Sequence, residues 1–215
     1  MIYKQSISVV VPIYNDSEVI HELIKRLCPV LESITADYEI ILVDDGSRDD
    51  SWLQMLAVRQ ANASIKAVRL SRNFGQQSAI AAGLSLTSKE LIVLMDSDLQ
   101  DRPEDIPVLI DALLADEKAT MAIAQWEERK DSRLKLAVSR LFQRVSNSIT
   151  EIHTMPRLGI FRVMKKSVVE ELRNFPEKTA TTVSLLYYIG SRYVAVPLKR
   201  DARFAGKSGY NLSKM

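Results

Sequence analysis

Cysteine and histidine are scarce in this sequence: Cys28 is the single cysteine, and only two histidines are present. A lone cysteine cannot form an intrachain disulfide, which excludes the small secreted proteins that disulfides hold together. The same scarcity excludes zinc sites with two or more thiolate ligands, and it disfavours a histidine-rich metal site. The sequence therefore indicates a protein of a reducing compartment.

Long apolar runs and an excess of one charge are also missing. No stretch reaches the roughly 18 apolar residues of a membrane-spanning helix, and the first residues lack the pattern of a signal peptide. The 29 Lys and Arg residues nearly balance the 27 Asp and Glu residues, so the net charge is +2. This balance argues against a disordered chain or a nucleic-acid-binding tail, and no nucleic-acid partner is expected. At 215 residues, one compact soluble domain is expected.

In the first half of the chain, short runs of β-branched residues alternate with stretches of helical periodicity. The predicted strands cover residues 7–13, 39–43, 65–70 and 91–95, and the predicted helices cover 20–34, 52–56, 76–86 and 103–115. Residues 15–17 offer N-caps for the first helix, in which Pro29 predicts a kink. This alternation predicts an α/β fold with a mostly parallel central sheet flanked by helices.

After residue 120 the pattern changes, but no linker or internal repeat separates the two halves. Further strands are predicted at residues 121–124, 160–164 and 193–198, and further helices at residues 134–149 and 179–189. Both halves are therefore expected to belong to a single domain that covers residues 1–215.

Acidic and polar turns follow three of the predicted strands. They comprise residues 14–16, 44–47 and 96–98. In open α/β sheets, ligands bind at the carboxyl ends of the strands. We therefore expect the three turns to meet at one edge of the sheet and to form a site.

The glycine-rich motifs of common nucleotide-binding proteins are absent. The seven glycines are not spaced as G-x-G-x-x-G, which excludes the dinucleotide-binding fingerprint. Residues 206–208 look like the end of a P-loop, but Asp201 stands where that motif needs a glycine. Neither a Rossmann dehydrogenase nor a P-loop ATPase fits the sequence.

The turn after the fourth predicted strand contains two carboxylates, Asp96 and Asp98, two residues apart. Such a pair can share a divalent cation that keeps some waters and binds substrate phosphates. The cation would neutralise a departing diphosphate, as transfer from a nucleotide-diphospho-sugar requires. The alternative is that Asp98 caps the turn before Pro103 and that the other carboxylates are solvated. The position of the pair after a buried strand, together with a second acidic turn, favours the functional interpretation.

The same turns carry a resemblance to a known family. Residues 9–16 (VVVPIYND) and 40–47 (IILVDDGS) resemble the opening of family-2 glycosyltransferases with the GT-A fold. Residues 70–75, 95–104 and 203–210 are similar to the polyisoprenyl-phosphate branch of that family, which includes dolichol-phosphate and undecaprenyl-phosphate sugar transferases. The resemblance covers nearly the whole chain. It implies a nucleotide-sugar and metal half at residues 1–105 and an acceptor half at residues 106–215.

The resemblance also implies roles for individual residues. Those that would bind the nucleotide-sugar are Pro12, Tyr14, Asp16, Asp45, Asp96 and Gln100. Asp96 and Asp98 would hold Mg2+ or Mn2+ on the diphosphate, and the catalytic residues would be Asp98, Arg203 and Lys207. Pro12 and Tyr14 have structural alternatives: Pro12 would serve to end the strand, and the Tyr14 ring to pack against its neighbours.

Basic residues are concentrated near the end of the chain. Residues 192–214 contain six cationic residues against one acidic residue, Asp201. Such a cluster suits a phosphate acceptor, a diphosphate leaving group or an anionic membrane surface, and the alternative is a solvated basic tail. The resemblance implies that the acceptor phosphate would contact Arg129, Arg133, Arg162 and Ser208. Acidic residues are interleaved around Arg129 and Arg133, so the solvated start of a helix is an equal interpretation of these two arginines.

One departure from the family pattern bears on the acceptor. Many relatives carry a Gly-Asp-Phe-Arg element, whereas this chain has Ile160 in place of the aspartate. A hydroxyl acceptor would lose a general base that is typically worth ~10²–10⁴ in rate. A phosphate monoester, with a second pKa of about 6, is already an anionic nucleophile at neutral pH. Ile160 therefore favours a lipid-phosphate acceptor.

The function predicted from the sequence is that of an inverting glycosyltransferase on the cytoplasmic face of the membrane. It would move a sugar from a nucleotide-diphospho-sugar, with UDP favoured over GDP, to a polyisoprenyl phosphate. One alternative is a GT-A transferase that acts on a saccharide hydroxyl, with Glu177 near the anomeric carbon. Another is a nucleotide-sugar-binding module without catalysis. Relatives commonly continue into membrane helices that these 215 residues lack, so an excised domain and a short peripheral form both remain open.

Overall fold

The computed structural model describes residues 2–126, 158–174, 185 and 192–204. Its seven strands are β1 (Ile7–Ile13), β2 (Tyr38–Asp44), β3 (Ile65–Arg69), β4 (Leu91–Leu94), β5 (Met121–Trp126), β6 (Leu158–Lys165) and β7 (Tyr193–Leu198). The described helices are α1 (Ile20–Ile34), α2 (Ser51–Ala61), α3 (Gln76–Ser85), α4 (Ile106–Ala115) and α5 (Lys166–Asn174), with a 3-10 turn at Pro103–Asp105. None of the helices within these ranges is long and apolar enough to cross a bilayer.

All seven described strands form one sheet in the order β3-β2-β1-β4-β6-β5-β7. Strands β1, β2, β3 and β4 are mutually parallel, and β7 is parallel to β5. Strand β6 lies antiparallel between β4 and β5. The prediction of an α/β fold with a mostly parallel sheet is confirmed.

Two apolar layers cover the two faces of this sheet, because alternate residues of each strand point to opposite faces. Val9 and Val11 of β1 pack into the cluster that contains the buried side chains of α1, α2 and α4. Val10, between them, packs into a second cluster with α3 and α5. Every residue of β1 is buried, as expected for a central strand with helices on both sides. The continuous apolar run at residues 7–13 is thus explained.

The predicted strands agree with the observed ones to within two residues at each end, whereas three features of the helices differ. Helix α1 begins at Ile20 after Val19, so the prediction of an N-cap at residues 15–17 is wrong. Those residues instead form the turn after β1. Helix α5 was not predicted, and the helix expected from Pro103 begins with the 3-10 turn. The helix predicted at 134–149, and that at 179–189 apart from Leu185, lie outside the described residues.

A buried carboxylate, Glu39 of β2, is held by hydrogen bonds and an ion pair near the start of the strand. Its Oε1 accepts hydrogen bonds from the Ser8 hydroxyl at 2.6 Å and from the Ser88 N–H at 2.8 Å. Its Oε2 lies 2.6 Å from the Lys66 ammonium. Burial by itself raises the pKa of Glu39, but the Lys66, Ser8 and Ser88 contacts outweigh it and lower the pKa from 4.5 to about 2.

We expect Glu39→Gln to lower the free energy of unfolding by about 2–3 kcal/mol at pH 7. Because the folded pKa lies below the unfolded one, this stabilisation is present above pH 4.5 and is lost as the pH falls towards 2. Urea denaturation at pH 7 and pH 3 measures the difference, which shrinks at pH 3. Glu22→Gln, which removes a surface carboxylate paired with Lys25, is the control. A loss that is equal for both variants would contradict the prediction.

Candidate active site

The candidate site lies where the order of the strands in the sheet reverses. From β1 the chain adds β2 and then β3 on one side, and it then places β4 on the other side of β1. The carboxyl ends of β1 and β4 therefore flank a topological switch point, which is where open α/β sheets bind ligands. The acidic turns after both strands meet there, as the sequence predicted.

A hydrogen bond joins the turns after β1 and β4. The hydroxyl of Ser97 donates to Oδ2 of Asp16 at 2.5 Å. Burial raises the pKa of Asp16, and the Ser97 hydrogen bond and nearby Arg203 oppose that shift. Leu99 adopts a left-handed φ of 58°, a conformation that costs a non-glycine residue about 1–2 kcal/mol. Its side chain packs into the core, which holds the turn in this conformation.

Asp98 lies at the centre of the turn after β4 and is paired with a cation from the end of the described chain. Its Oδ1 accepts a hydrogen bond from the Gln100 N–H at 3.0 Å. Its Oδ2 lies 2.9 Å from Arg203, which follows β7. Two residues predicted from distant parts of the sequence, Asp98 and Arg203, are thus in direct contact.

Asp96 occupies the neighbouring position, close to a second arginine. Its Oδ1 accepts a hydrogen bond from the Gln76 amide at 2.8 Å, and its Oδ2 lies 3.8 Å from Arg200. Burial, and then the nearby charges of Asp101 and Asp98, raise the pKa of Asp96 to about 7. A cation bound at this position would favour the ionised carboxylate.

Asp101 and Arg200 form an ion pair beside these two carboxylates. The Nε of Arg200 lies 3.0 Å from Oδ1 of Asp101. The guanidinium of Arg200 also lies over the ring of Trp126, 4.7 Å from its centroid. Burial raises the pKa of Asp101 to about 6, although Arg200 opposes that shift.

Asp45, in the turn after β2, binds a neighbouring loop. Its two oxygens accept hydrogen bonds from the N–H groups of Phe74 at 2.8 Å and Gly75 at 2.9 Å. Gly46 follows with a φ of 69°, and a Cβ there would lie 2.5 Å from the carbonyl carbon of Arg72. The turn after β2 and the loop before α3 are therefore packed backbone to backbone. Contact between Asp45 and a nucleotide stays a prediction.

Five of the predicted site residues are brought together at this edge: Asp16, Asp96, Asp98, Gln100 and Arg203. Pro12 is buried within β1, opposite Val43 of β2, and Tyr14 is 39% exposed in the turn that follows. Arg162 is only 1% exposed and donates to the carbonyls of Gly159 and Ile160 in β6, so its contact with an acceptor stays a prediction. The remaining predicted residues lie outside the described part of the chain: Arg129, Arg133, Glu177, Lys207 and Ser208.

Three arginines of the basic segment, one before β7 and two after it, are paired with carboxylates. Arg192 lies 3.4 Å from Asp116, while Arg200 and Arg203 reach the acidic turn after β4. These two arginines therefore belong to the candidate site. Arg200 was predicted only as one cation of a basic segment, and Asp101 was not predicted as a site residue. The sequence signal for Asp101 was its position as a further carboxylate in the acidic turn that contains Asp96 and Asp98.

The chemistry of these groups suits a divalent cation together with a diphosphate. Among the described residues, no three His, Cys, Asp or Glu side chains are grouped as a metal site. Two carboxylates nevertheless suffice for Mg2+ or Mn2+ when substrate phosphates and waters supply the other ligands. Arginines beside the carboxylates supply the donors that phosphate oxygens accept.

Comparison with known sequences identifies the family and confirms the resemblance. The model of Glycosyl transferase family 2 matches residues 8–173. An uncharacterized glycosyltransferase of Synechocystis sp. is 34% identical over 209 residues, which is 97% of this chain and 65% of that protein. The undecaprenyl-phosphate 4-deoxy-4-formamido-L-arabinose transferase of Sodalis glossinidius is 33% identical over 214 residues, which is 97% of this chain and 64% of that protein. The chain thus spans less than two thirds of the length of these relatives.

Comparison with solved structures confirms the GT-A fold. Glucosyl-3-phosphoglycerate synthase from Mycobacterium tuberculosis, crystallised with Mn2+ and UDP-glucose, aligns with a TM-score of 0.68. The alignment covers 98% of this chain and 74% of that one, at 20% identity. A second structure, described as a mycobacterial protein, aligns with a TM-score of 0.70 at 20% identity, covering 98% of this chain and 70% of that chain.

Proposed function

The chain belongs to glycosyl transferase family 2, and we propose that it transfers a sugar, with inversion, from a nucleotide-diphospho-sugar to a polyisoprenyl phosphate. The observation that carries this proposal is the meeting of Asp96 and Asp98 with Arg200 and Arg203 at the switch point of the sheet. A donor diphosphate needs both kinds of group, because its charge must be bound in the substrate and stabilised further as it departs.

On the donor side, Asp96 and Asp98 would hold Mg2+ or Mn2+, which supplies positive charge to the diphosphate when it is bound. Arg203, now 2.9 Å from Asp98, can donate to phosphate oxygens without leaving the site. Together with Lys207 it would stabilise the departing diphosphate. Pro12, Tyr14 and Asp16 would border the base, with UDP as the favoured nucleotide, and Gln100 would line the sugar end.

On the acceptor side, Ile160 supports a nucleophile that needs no general base. Isoleucine supplies no carboxylate at this position, and its side chain packs against the apolar cluster that contains α3 and α5. A phosphate monoester is anionic at neutral pH and can attack the anomeric carbon without losing a proton to the protein. The relative named as an undecaprenyl-phosphate sugar transferase supports the same acceptor class. Arg129, Arg133, Arg162 and Ser208 would bind its phosphate.

The acceptor class also implies a location. A polyisoprenyl phosphate resides in the membrane, so the protein would work at the inner face of the cytoplasmic membrane. The chain would act as one catalytic unit, with the donor half at residues 1–105 and the acceptor half at residues 106–215.

A transfer assay tests the proposal directly. We expect the 215-residue chain, given Mn2+, radiolabelled UDP-sugars and undecaprenyl phosphate in detergent micelles, to produce a labelled product that partitions into organic solvent. The product should be lost when EDTA replaces Mn2+. GDP-sugars form the parallel series that identifies the base, and dolichol without a phosphate is the acceptor control.

Two results would contradict the proposal. Label that appears only on water-soluble saccharides would favour the transferase that acts on a hydroxyl. Tight binding of a nucleotide-sugar, measured by calorimetry, without transfer to either acceptor would favour a binding module.

A further inference from the structure

Asp101 is a buried carboxylate that the proposed reaction does not use. It is 1% exposed and lies in the same turn as the proposed metal ligands. Its Oδ1 is paired with the Nε of Arg200 at 3.0 Å, while its Oδ2 has no hydrogen-bond partner among the described residues. Burying a carboxylate is costly even when it is paired. A partly exposed arginine such as Arg200 does not need a buried carboxylate for stability. The pair with Asp101 therefore indicates that Arg200 is held in a defined position.

Arg200 is held by three contacts that together define its orientation. Asp101 binds Nε, the Trp126 ring lies beneath the guanidinium at 4.7 Å, and one terminal nitrogen lies 3.8 Å from Oδ2 of Asp96. Trp126 is itself confined, because a Cβ at Gly159 would lie 2.5 Å from its Nε1. Arg200 keeps 30% of its side chain exposed, so it remains accessible to a ligand.

We propose that Asp101 is a positioning residue that fixes Arg200 beside Asp96 so that the arginine binds the diphosphate of the donor. This inference rests on the proposed function. Asp101 occupies Nε, while a terminal nitrogen of the guanidinium lies 3.8 Å from Oδ2 of Asp96, one of the two carboxylates at which the diphosphate would be bound. A lysine could not replace Arg200, since an ammonium lacks the planar fork that reaches two partners at once and stacks on an indole.

The chain offers a matched control in the same connection between β4 and α4. Asp105 is also buried, and both of its oxygens are bound by Arg102, at 3.0 and 2.8 Å. That pair joins residues three positions apart, and among the described residues neither member forms a hydrogen bond or ion pair with Asp96 or Asp98. Asp105→Asn therefore removes a buried negative charge from the same segment without touching Arg200.

The test is calorimetric titration of UDP and GDP in the presence of Mn2+. We expect Asp101→Asn to weaken binding of the preferred nucleoside diphosphate about tenfold, as for a charge-assisted hydrogen bond that is no longer aligned. Asp105→Asn should stay within about twofold of the wild type. If Asp101 acts through Arg200, the variant with both Asp101→Asn and Arg200→Gln binds no more weakly than Arg200→Gln alone. A purely structural role would make the two losses additive.

A second measurement needs no nucleotide. The chain has two tryptophans, so in a Trp52→Phe background the fluorescence comes from Trp126. Asp101→Asn should shift this emission because Arg200 is no longer held over the ring, whereas Asp105→Asn should not. Arg200→Gln, at a partly exposed position, should give the same shift in emission. This variant therefore tests the contact with Trp126 even if Asp101→Asn does not fold.

The outcomes separate the two proposals. Wild-type affinity in Asp101→Asn, full additivity with Arg200→Gln, or an unchanged Trp126 emission would each overturn the positioning role alone. If the wild type binds neither UDP nor GDP with Mn2+, the proposed function is overturned and the positioning role falls with it.

Discussion

Replacing Asp98 by alanine is expected to lower kcat/KM for sugar transfer by about 10³-fold or more. The substitution removes a proposed ligand of the divalent cation and also the carboxylate that holds Arg203 at 2.9 Å. The cation and Arg203 would both stabilise the charge that develops as the diphosphate departs. Their loss or displacement should therefore lower kcat more than it raises KM. Steady-state kinetics measures this, and the increase in melting temperature that Mn2+ gives in the presence of UDP should disappear as well.

The control is Asp37→Ala, which removes an exposed carboxylate paired with Lys89 before β2. We expect its kcat/KM to remain within about twofold of the wild type, because it lies at the amino end of the strands. Transfer by Asp98→Ala at more than about a tenth of the wild-type rate would show that this carboxylate is not part of the catalytic site.

Replacing Gly46 by alanine is expected to lower the free energy of unfolding by about 3 kcal/mol or more. The left-handed φ of 69° disfavours any residue with a Cβ. In addition, the new Cβ would lie 2.5 Å from the carbonyl carbon of Arg72 and 2.6 Å from the amide nitrogen of Asn73. Backbone atoms cannot rotate away as a flexible side chain can, so the loop before α3 must shift. Urea denaturation measures the loss.

Gly75→Ala separates the two causes of that loss. Gly75 also has a positive φ, of 94°, but a Cβ there would meet no atom within 4 Å. Its substitution should cost about 1–3 kcal/mol, from the backbone conformation alone. If both variants lose the same stability, the close approach of the turn at Gly46 to the loop contributes nothing.

The sequence predicted the strands well because central parallel strands are buried on both faces and read as continuous apolar runs. The antiparallel direction of β6 was not predicted, because the sequence of a strand does not indicate whether its neighbours run parallel or antiparallel to it. Helix α5 was missed because only Val168 and Val169 of its nine residues are buried, which is too short a pattern for a helical period.

Within the candidate site, the sequence predicted correctly those acidic residues that directly follow the ends of strands. Asp16, Asp96 and Asp98 each follow an apolar run, so their meeting could be inferred from topology. The pair of Asp101 and Arg200 joins residues 99 positions apart, and no local pattern links them. The error about the N-cap at residues 15–17 has a similar cause: Asp16 binds Ser97 of another turn and does not cap its own helix.

The separation in sequence between the acidic turn and its arginines has a consequence for how the protein is made. During synthesis, the aspartates after β4 leave the ribosome about a hundred residues before Arg200 and Arg203, and Asp16, after β1, leaves it earlier still. Until β7 pairs with β5, these carboxylates repel one another without the cations that neutralise them in the finished fold. We therefore expect the candidate site to be among the last parts of the nascent chain to become ordered, after the apolar layers on both faces have formed.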